Sequence, residues 1–219
     1  MDETVQAWVD GWVVSRGAAP PLAEPWGWTI DMGMYGHVTR HVCGATGEGL
    51  DEATVRKVAG AVTGQGVWLK AFRDPSVVAG WLDDGWWIDP EPGFLMRVPL
   101  APDGAAAVPD GYRLREWSRG GVTRVMVAAP DGSLAARGQI APTGVTAVVD
   151  RVETDPCHRR KGLGSVVVRT LQNAAVRQGA RTGVLAGTPA GRALYEALGW
   201  EVVALLTSAK HDPTVSARA

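Results

Sequence analysis

The chain has 219 residues, 22 basic and 23 acidic side chains, and a formal net charge of -1. Its 46% hydrophobic content excludes a disordered chain and suits one domain or two small ones, while the near-zero charge excludes a general attraction to nucleic acid or membrane. Two cysteines make neither a disulfide framework nor a thiolate zinc site, and an acidic start with no long apolar run predicts a cytoplasmic protein.

Residues 4–15 read as a short amphipathic helix, with Val5, Trp8, Val9 and Trp12 at i, i+3, i+4 and i+7. A proline-rich break follows at 17–25, then one or two strands within 26–43. Residues 51–64 read as a helix with acidic residues in its first turn. A strand is expected at 66–72, a short helix at 75–84 ending at Gly85, and a strand at 94–99. Pro102 to Gly111 holds little that could pack and reads as a linker. Beyond it come a strand at 112–117, a hairpin of 122–129 and 134–140 around Asp131-Gly132, and a β-branched strand at 144–154. A helix at 163–178, a strand at 182–187, a helix at 189–198 and a strand at 201–209 complete the chain. A meander followed by alternating strands and helices predicts an α+β fold with a mixed sheet.

The two halves share a faint repeat. Pro75, Gly85 and Trp86 fall on Pro189, Gly199 and Trp200 at a shift of 114, with Trp81 on Tyr195, and Val55-Arg56 and Gln65-Gly66 fall on Val168-Arg169 and Gln178-Gly179 at 113. Gly47-Glu48-Gly49 meets Gly162-Leu163-Gly164 at a shift of 115. Two copies of one unit are expected, with residues 1–101 the altered copy, 102–111 the linker and 112–219 the working copy.

The segment Asp155-Pro156-Cys157-His158-Arg159-Arg160-Lys161-Gly162-Leu163-Gly164-Ser165 joins a strand to a helix. Three basic residues at a helix N-terminus cost roughly 0.3–1 kcal/mol each unless an anion neutralises them. Glycines there leave backbone N–H groups open. A pyrophosphate suits that arrangement. A Walker loop is excluded because the lysine precedes the glycine, and a dinucleotide fingerprint because the third glycine is missing.

This Pro-x-x-Arg-x-x-Gly-x-Gly segment, followed by Ala193-Leu194-Tyr195-Glu196-Ala197-Leu198-Gly199-Trp200, resembles the GCN5-related N-acetyltransferase (GNAT) family over residues 112–209. The resemblance implies a mostly antiparallel GNAT-like sheet flanked by helices and an acyl-CoA site, with acetyl-CoA as donor. It places Arg159, Arg160, Lys161, Gly162, Leu163, Gly164 and Ser165 around the pyrophosphate. Val152 and Thr154 would hold the pantetheine arm, Thr188 stands where the family often has a cofactor-contacting Asn, and Tyr195 would protonate the departing thiolate. A general base is less visible. Glu153 is the chosen candidate, beside Asp150 and Glu201; removal of the proton by water is the alternative.

The first half lacks the basic triplet, carries Glu48 between its glycines and has Trp81 where the tyrosine stands, so it resembles a copy that lost its CoA site. The second half lacks the helical pair that usually follows a member's first strand, and the first half or a second subunit is expected to supply that wall. The early tryptophans either line an acceptor pocket or pack the seam and core. His37, His41 and Cys43 lack a fourth ligand, and no metal is expected. The expected activity is transfer of an acetyl group to a primary amine of a small molecule, by a monomer or homodimer acting without nucleic acid or membrane. The alternatives are a non-catalytic CoA-binding module and a protein N-acetyltransferase.

Overall fold

A computed structural model describes residues 1–104 and 107–214. The chain opens with α1 (Glu3–Arg16), whose first turn is held by Asp2: its carboxylate accepts from the backbone N–H of Thr4 at 2.8 Å and of Val5 at 3.3 Å. Gly17 ends the helix at φ 61°, a left-handed conformation that glycine adopts without strain. Then come β1 (Leu22–Glu24), β2 (Gly27–Met34), β3 (His37–Thr46), α2 (Glu52–Gly60), β4 (Trp68–Phe72), α3 (Pro75–Ala79), β5 (Trp86–Ile88) and β6 (Gly93–Pro99). The second half comprises β7 (Arg113–Arg119), β8 (Val122–Ala128), β9 (Leu134–Thr143), β10 (Thr146–Thr154), α4 (Leu163–Arg177), β11 (Thr182–Gly187), α5 (Pro189–Ala197) and β12 (Glu201–His211).

Most expected elements stand within a few residues of their predicted bounds. Two three-residue strands, β1 and β5, were not foreseen. The first lies inside the proline-rich break, paired to β2, and the second follows the turn at Gly85. α3 stops at Ala79 rather than 84, because Gly80 caps it and the chain turns towards β5. Of the expected linker, Ala105 and Ala106 lie outside the described residues, and the remainder carries no helix or strand.

The strands form one sheet in the order β1-β2-β3-β4-β12-β6-β11-β10-β9-β8-β7, with β5 also paired to β12. The pairs β3–β4 and β10–β11 are parallel and the others antiparallel, so the sheet is mixed as expected. At its centre the halves exchange strands. β6 lies between β11 and the first part of β12, pairing Thr182–Gly187 on one side and Glu201–Leu206 on the other. The last part of β12, Thr207–Lys210, reaches into the first half and pairs with β4, and Ala209–His211 also pair with β5. Each half therefore completes the other's sheet.

α1 lies on the seam. Its residues Val5, Trp8, Val9, Trp12 and Val13 pack with Ile30, Val42 and Phe72 of the first half and with Val148 and Val184 of the second. Burying each valine stabilises by about 1.5–3 kcal/mol. Gly11 is what allows the approach: a Cβ there would stand 2.4 Å from Val148 Cγ2 and 3.1 Å from the Ala141 carbonyl. α1 thus covers β9 and β10, where the second half has no helical pair of its own.

Candidate active site

β10 and β11 run parallel only over Thr146–Val148 and Thr182–Val184, then separate. The register of β10 against β9 slips between Asp150 and Glu153, and Arg151 takes φ 52°, which marks a bulge at this point. Below the bulge, the loop from Asp155 to Gly162 leads into α4. Asp155 accepts from the Cys157 N–H at 2.9 Å, fixing the first turn. Gly162 takes φ 75° and no side chain caps α4, so the N–H groups of its first turn face outwards unclaimed by a side chain. Arg159, Arg160 and Lys161 are exposed around them. This is an N-terminus built to receive an anion, with cations supplied.

The two glycines have different duties. Gly162 supplies the left-handed backbone, whereas a Cβ on Gly164 would lie 2.9 Å from Leu194 Cδ2, so Gly164 permits α4 and α5 to approach. Leu163 is buried in the core and can offer a ligand only its backbone. Ser165 lies in the same first turn and Thr154 is half-buried at the strand end, while Val152 packs against the core. The loop has a brace that the sequence did not announce. The Tyr112 hydroxyl lies 2.9 Å from His158 Nδ1 and accepts from Lys161 Nζ at 3.1 Å.

The matching place in the first half is filled from within. Asp51 caps α2, accepting from Thr54 N–H at 2.7 Å, and Glu48 pairs with Arg73 at 2.9 Å. Carboxylates stand where the second half leaves the helix end open.

Tyr195, on α5, is buried beneath Gly187 and Gly191, whose added Cβ atoms would come within 3.3 and 3.2 Å of its ring. The ring stands edge-on to Trp200 at 5.8 Å. Burial, aided by the charge of Asp150, pushes the phenol well above its ordinary value, so it stays protonated. Thr188 caps α5, its hydroxyl accepting from Gly191 N–H at 3.3 Å.

Where β10 and β11 part, a cavity of about 230 Å³ opens between the halves. Val149, Asp150, Gly187 and Thr188 of the second half line it, and Trp8, Trp12, Arg16, Arg40 and Lys70 come from the first. The first half therefore does furnish a wall. Of the early tryptophans, only Trp8 and Trp12 reach this cavity; Trp26, Trp81 and Trp86 pack against the first half's own core.

Glu153 does not face the cavity. Past the bulge its carboxylate turns to Arg137, at 2.9 Å. Asp150, before the bulge, is the strand carboxylate that reaches the cavity. It is bound by Arg16 at 2.6 and 2.7 Å and by the Ser15 hydroxyl at 2.7 Å. Gln139, buried, donates in turn to the Ser15 carbonyl and hydroxyl at 2.8 and 2.7 Å. Glu201 is exposed on β12.

Sequence reasoning missed Arg16, Arg40 and Lys70. The one available sign was a lone lysine within the apolar strand Trp68-Leu69-Lys70-Ala71-Phe72. His37 and His41 are engaged by Arg40 at 3.3 Å and Thr29 at 3.0 Å. Among the described residues no group of three or more His, Cys, Asp or Glu is placed to hold a metal ion. No described helix is long and apolar enough to cross a membrane.

An open helix end follows the splayed parallel strand pair β10–β11, and the same segment is matched in comparisons with known proteins. Residues 96–200 match the profile described as "Acetyltransferase (GNAT) family". Over that segment, slightly less than half of its length, the chain is similar to the GNAT acetyltransferases. A search of curated proteins finds no match. Among solved structures, it is similar to a GCN5-related N-acetyltransferase from Kribbella flavida, at 18% identity and TM-score 0.67, covering 95% of this chain and 94% of that one. It is similar also to a putative GNAT-family acetyltransferase from Novosphingobium aromaticivorans, at 16% identity and TM-score 0.56, over 95% and 96% of the two chains. A third is a tandem GNAT protein from the clavulanic acid biosynthesis pathway, at 18% identity and TM-score 0.55, over 97% and 95%.

Proposed function

We propose that the protein transfers an acetyl group from acetyl-CoA to the primary amine of a small molecule, using one site in residues 112–219. The observation that carries this reading is the contrast between the two helix ends: α4 is open and ringed by Arg159, Arg160 and Lys161, whereas α2 is closed by Asp51 and faced by the Glu48–Arg73 pair. Residues 1–101 serve as the silent copy that supplies the acceptor wall. Acetyl-CoA brings an activated thioester. Backbone N–H groups of Gly162–Ser165 and the basic triplet hold its pyrophosphate, with Val152 and Thr154 beside its arm.

The amine, once neutral, forms the C–N bond as the C–S bond breaks, and the thiolate takes a proton. Tyr195 is the proposed donor. Its raised pKa keeps it protonated, and a phenol near ~10 or above is a weaker acid than a thiol near ~8.5, so it transfers its proton late, after charge has gathered on sulfur. For the amine's own proton, Glu153 is occupied by Arg137, and Asp150 stands nearer the cavity; its ties to Arg16 and Ser15 favour a role in orienting the acceptor, with water carrying the proton away. The small cavity favours a metabolite over a protein: about 230 Å³ is below the ~300–1,000 Å³ of drug-sized pockets.

Calorimetry with acetyl-CoA tests the site. One binding event per chain, lost in an Arg159→Glu/Gly162→Asp variant, is expected. Two events would revive the first-half site, and none would remove the enzyme reading. Tyr195→Phe is expected to keep donor binding and lower kcat by at least tenfold on whichever amine is accepted. An unchanged kcat removes the acid role.

A further inference from the structure

Two basic side chains in the cavity have no ion-pair partner among the described residues. Arg40 and Lys70 are each only 8% exposed, and neither makes a salt bridge among the described residues. The Arg40 guanidinium lies over the Trp12 ring at 4.0 Å and spends its Nε–H on His37 Nε2. Its terminal nitrogens have no hydrogen-bond partner among the described residues. The Lys70 ammonium donates to the Ser208 hydroxyl at 2.6 Å and lies 4.8 Å from the Trp68 ring. An uncompensated charge in such a setting is costly, and two adjacent ones more so. Burial first, then the charges of Arg40 and Arg16, push Lys70 well below its ordinary value, with Asp89 opposing.

The cavity as a whole is balanced. Arg16, Arg40 and Lys70 line it together with Asp89, Glu91 and Asp150. Arg16 is already matched by Asp150, which leaves an unmatched cationic corner on β3 and β4 and two carboxylates on the segment after β5. A lining that carries both signs of charge is complementary to a zwitterion.

We propose that the Arg40–Lys70 corner receives the carboxylate of an amino-acid-type acceptor, whose amine is the group acetylated. This inference rests on the acetyltransferase reading above and names the substrate class of the same site. A carboxylate fits because the guanidinium fork accepts it in a planar, bidentate manner, and one negative charge relieves the repulsion between the two cations. The cavity's size restricts the acceptor to a free amino acid or a compound of similar bulk.

The test uses the full chain with acetyl-CoA and follows CoA release for the proteinogenic amino acids, β-alanine and γ-aminobutyrate. Each is matched with its carboxamide and with the decarboxylated amine; taurine and 2-aminoethylphosphonate serve as sulfonate and phosphonate controls. A carboxylate-bearing acceptor is expected to exceed its amide in kcat/KM by at least tenfold. Lys70→Met and Arg40→Gln are expected to raise KM for that acceptor at least tenfold and to erase the preference over the amide, with acetyl-CoA affinity by calorimetry unchanged. Unchanged donor affinity also shows that the variants fold.

Equal use of amides and amines overturns the proposal while leaving the acetyltransferase reading intact. So does preference for the phosphonate or sulfonate, or an enzyme–CoA complex that neither acetylates nor binds any amino acid of the set by calorimetry. Failure of the wild-type chain to bind acetyl-CoA removes both.

Discussion

Replacing Gly11 by alanine sets two effects of known size against each other. In an exposed helix interior the change stabilises by about 1 kcal/mol, because glycine gives up more backbone freedom. Here the new methyl would stand 2.4 Å from Val148 Cγ2, 2.7 Å from Val148 Cβ and 3.1 Å from the Ala141 carbonyl oxygen. The last two atoms are fixed by the sheet, so α1 must shift or tilt. Overpacking of this kind costs about 1–3 kcal/mol, and these contacts are at its severe end. The net expectation for Gly11→Ala is a loss of about 1–2 kcal/mol, a fall in Tm of roughly 2–8 °C for a chain of this size. The assay is urea unfolding followed by tryptophan fluorescence, with differential scanning calorimetry. Val148→Ala removes the obstacle, so the double variant should be less destabilised than the sum of the singles by at least about 1 kcal/mol. A Gly11→Ala chain as stable as the parent, or more so, would refute the placement of α1 against β10.

Removing the Asp51 cap by alanine should cost about 1 kcal/mol in urea unfolding and leave acetyl-CoA stoichiometry at one, since Glu48 still faces the first-half loop. Arg16→Met should destabilise by about 1–3 kcal/mol, between the values for exposed and buried pairs, because Asp150 is only 11% exposed while Arg16 is 33% exposed; a change under 0.5 kcal/mol in the same titration would show the pair to be idle. Burial first, then the charges of Arg40, Lys70 and Arg16, bring His37 from 6.5 down to about 4. The unfolded chain then binds more protons between those values, so stability is full above about pH 6.5 and falls as pH drops towards 4. His37→Gln should flatten that slope in melts taken across the window, and an unaltered slope would count against the buried neutral imidazole.

Elements with a strong period were legible. The β-branched run of β10 and the apolar stripe of α4 needed no tertiary knowledge, and the loop between them was legible as a strand-to-helix turn. β1 and β5 were not legible, since three residues of extended chain gain their identity only from the strand they meet. α1 read as amphipathic, yet eight of its fourteen residues are buried, because both halves claim its surface. The bulge between Asp150 and Glu153 was not legible. The slip sets Glu153 opposite Arg137, which takes its carboxylate, while Asp150, opposite Gln139, keeps to the cavity, and the positive φ of Arg151 has no sequence signal. Arg40 and Lys70 were hidden for the opposite reason. A cation in a strand reads as a solvated face unless the partner covering it, here Trp12 from another element, is already known.

The exchanged strands bear on how the chain reaches this state as it leaves the ribosome. Until residues 201–211 have been synthesised, β4 and β5 have no strand between them, and β6 lacks its partner on one side. The nascent first half therefore waits with an open sheet edge, a surface that pairs readily with foreign strands. Closure requires pairings such as Ala71 with Thr207, separated by well over a hundred residues, and contacts of that range slow folding. Once made, they tie the two halves into one cooperative unit, so the first half cannot unfold without opening the sheet that carries the second.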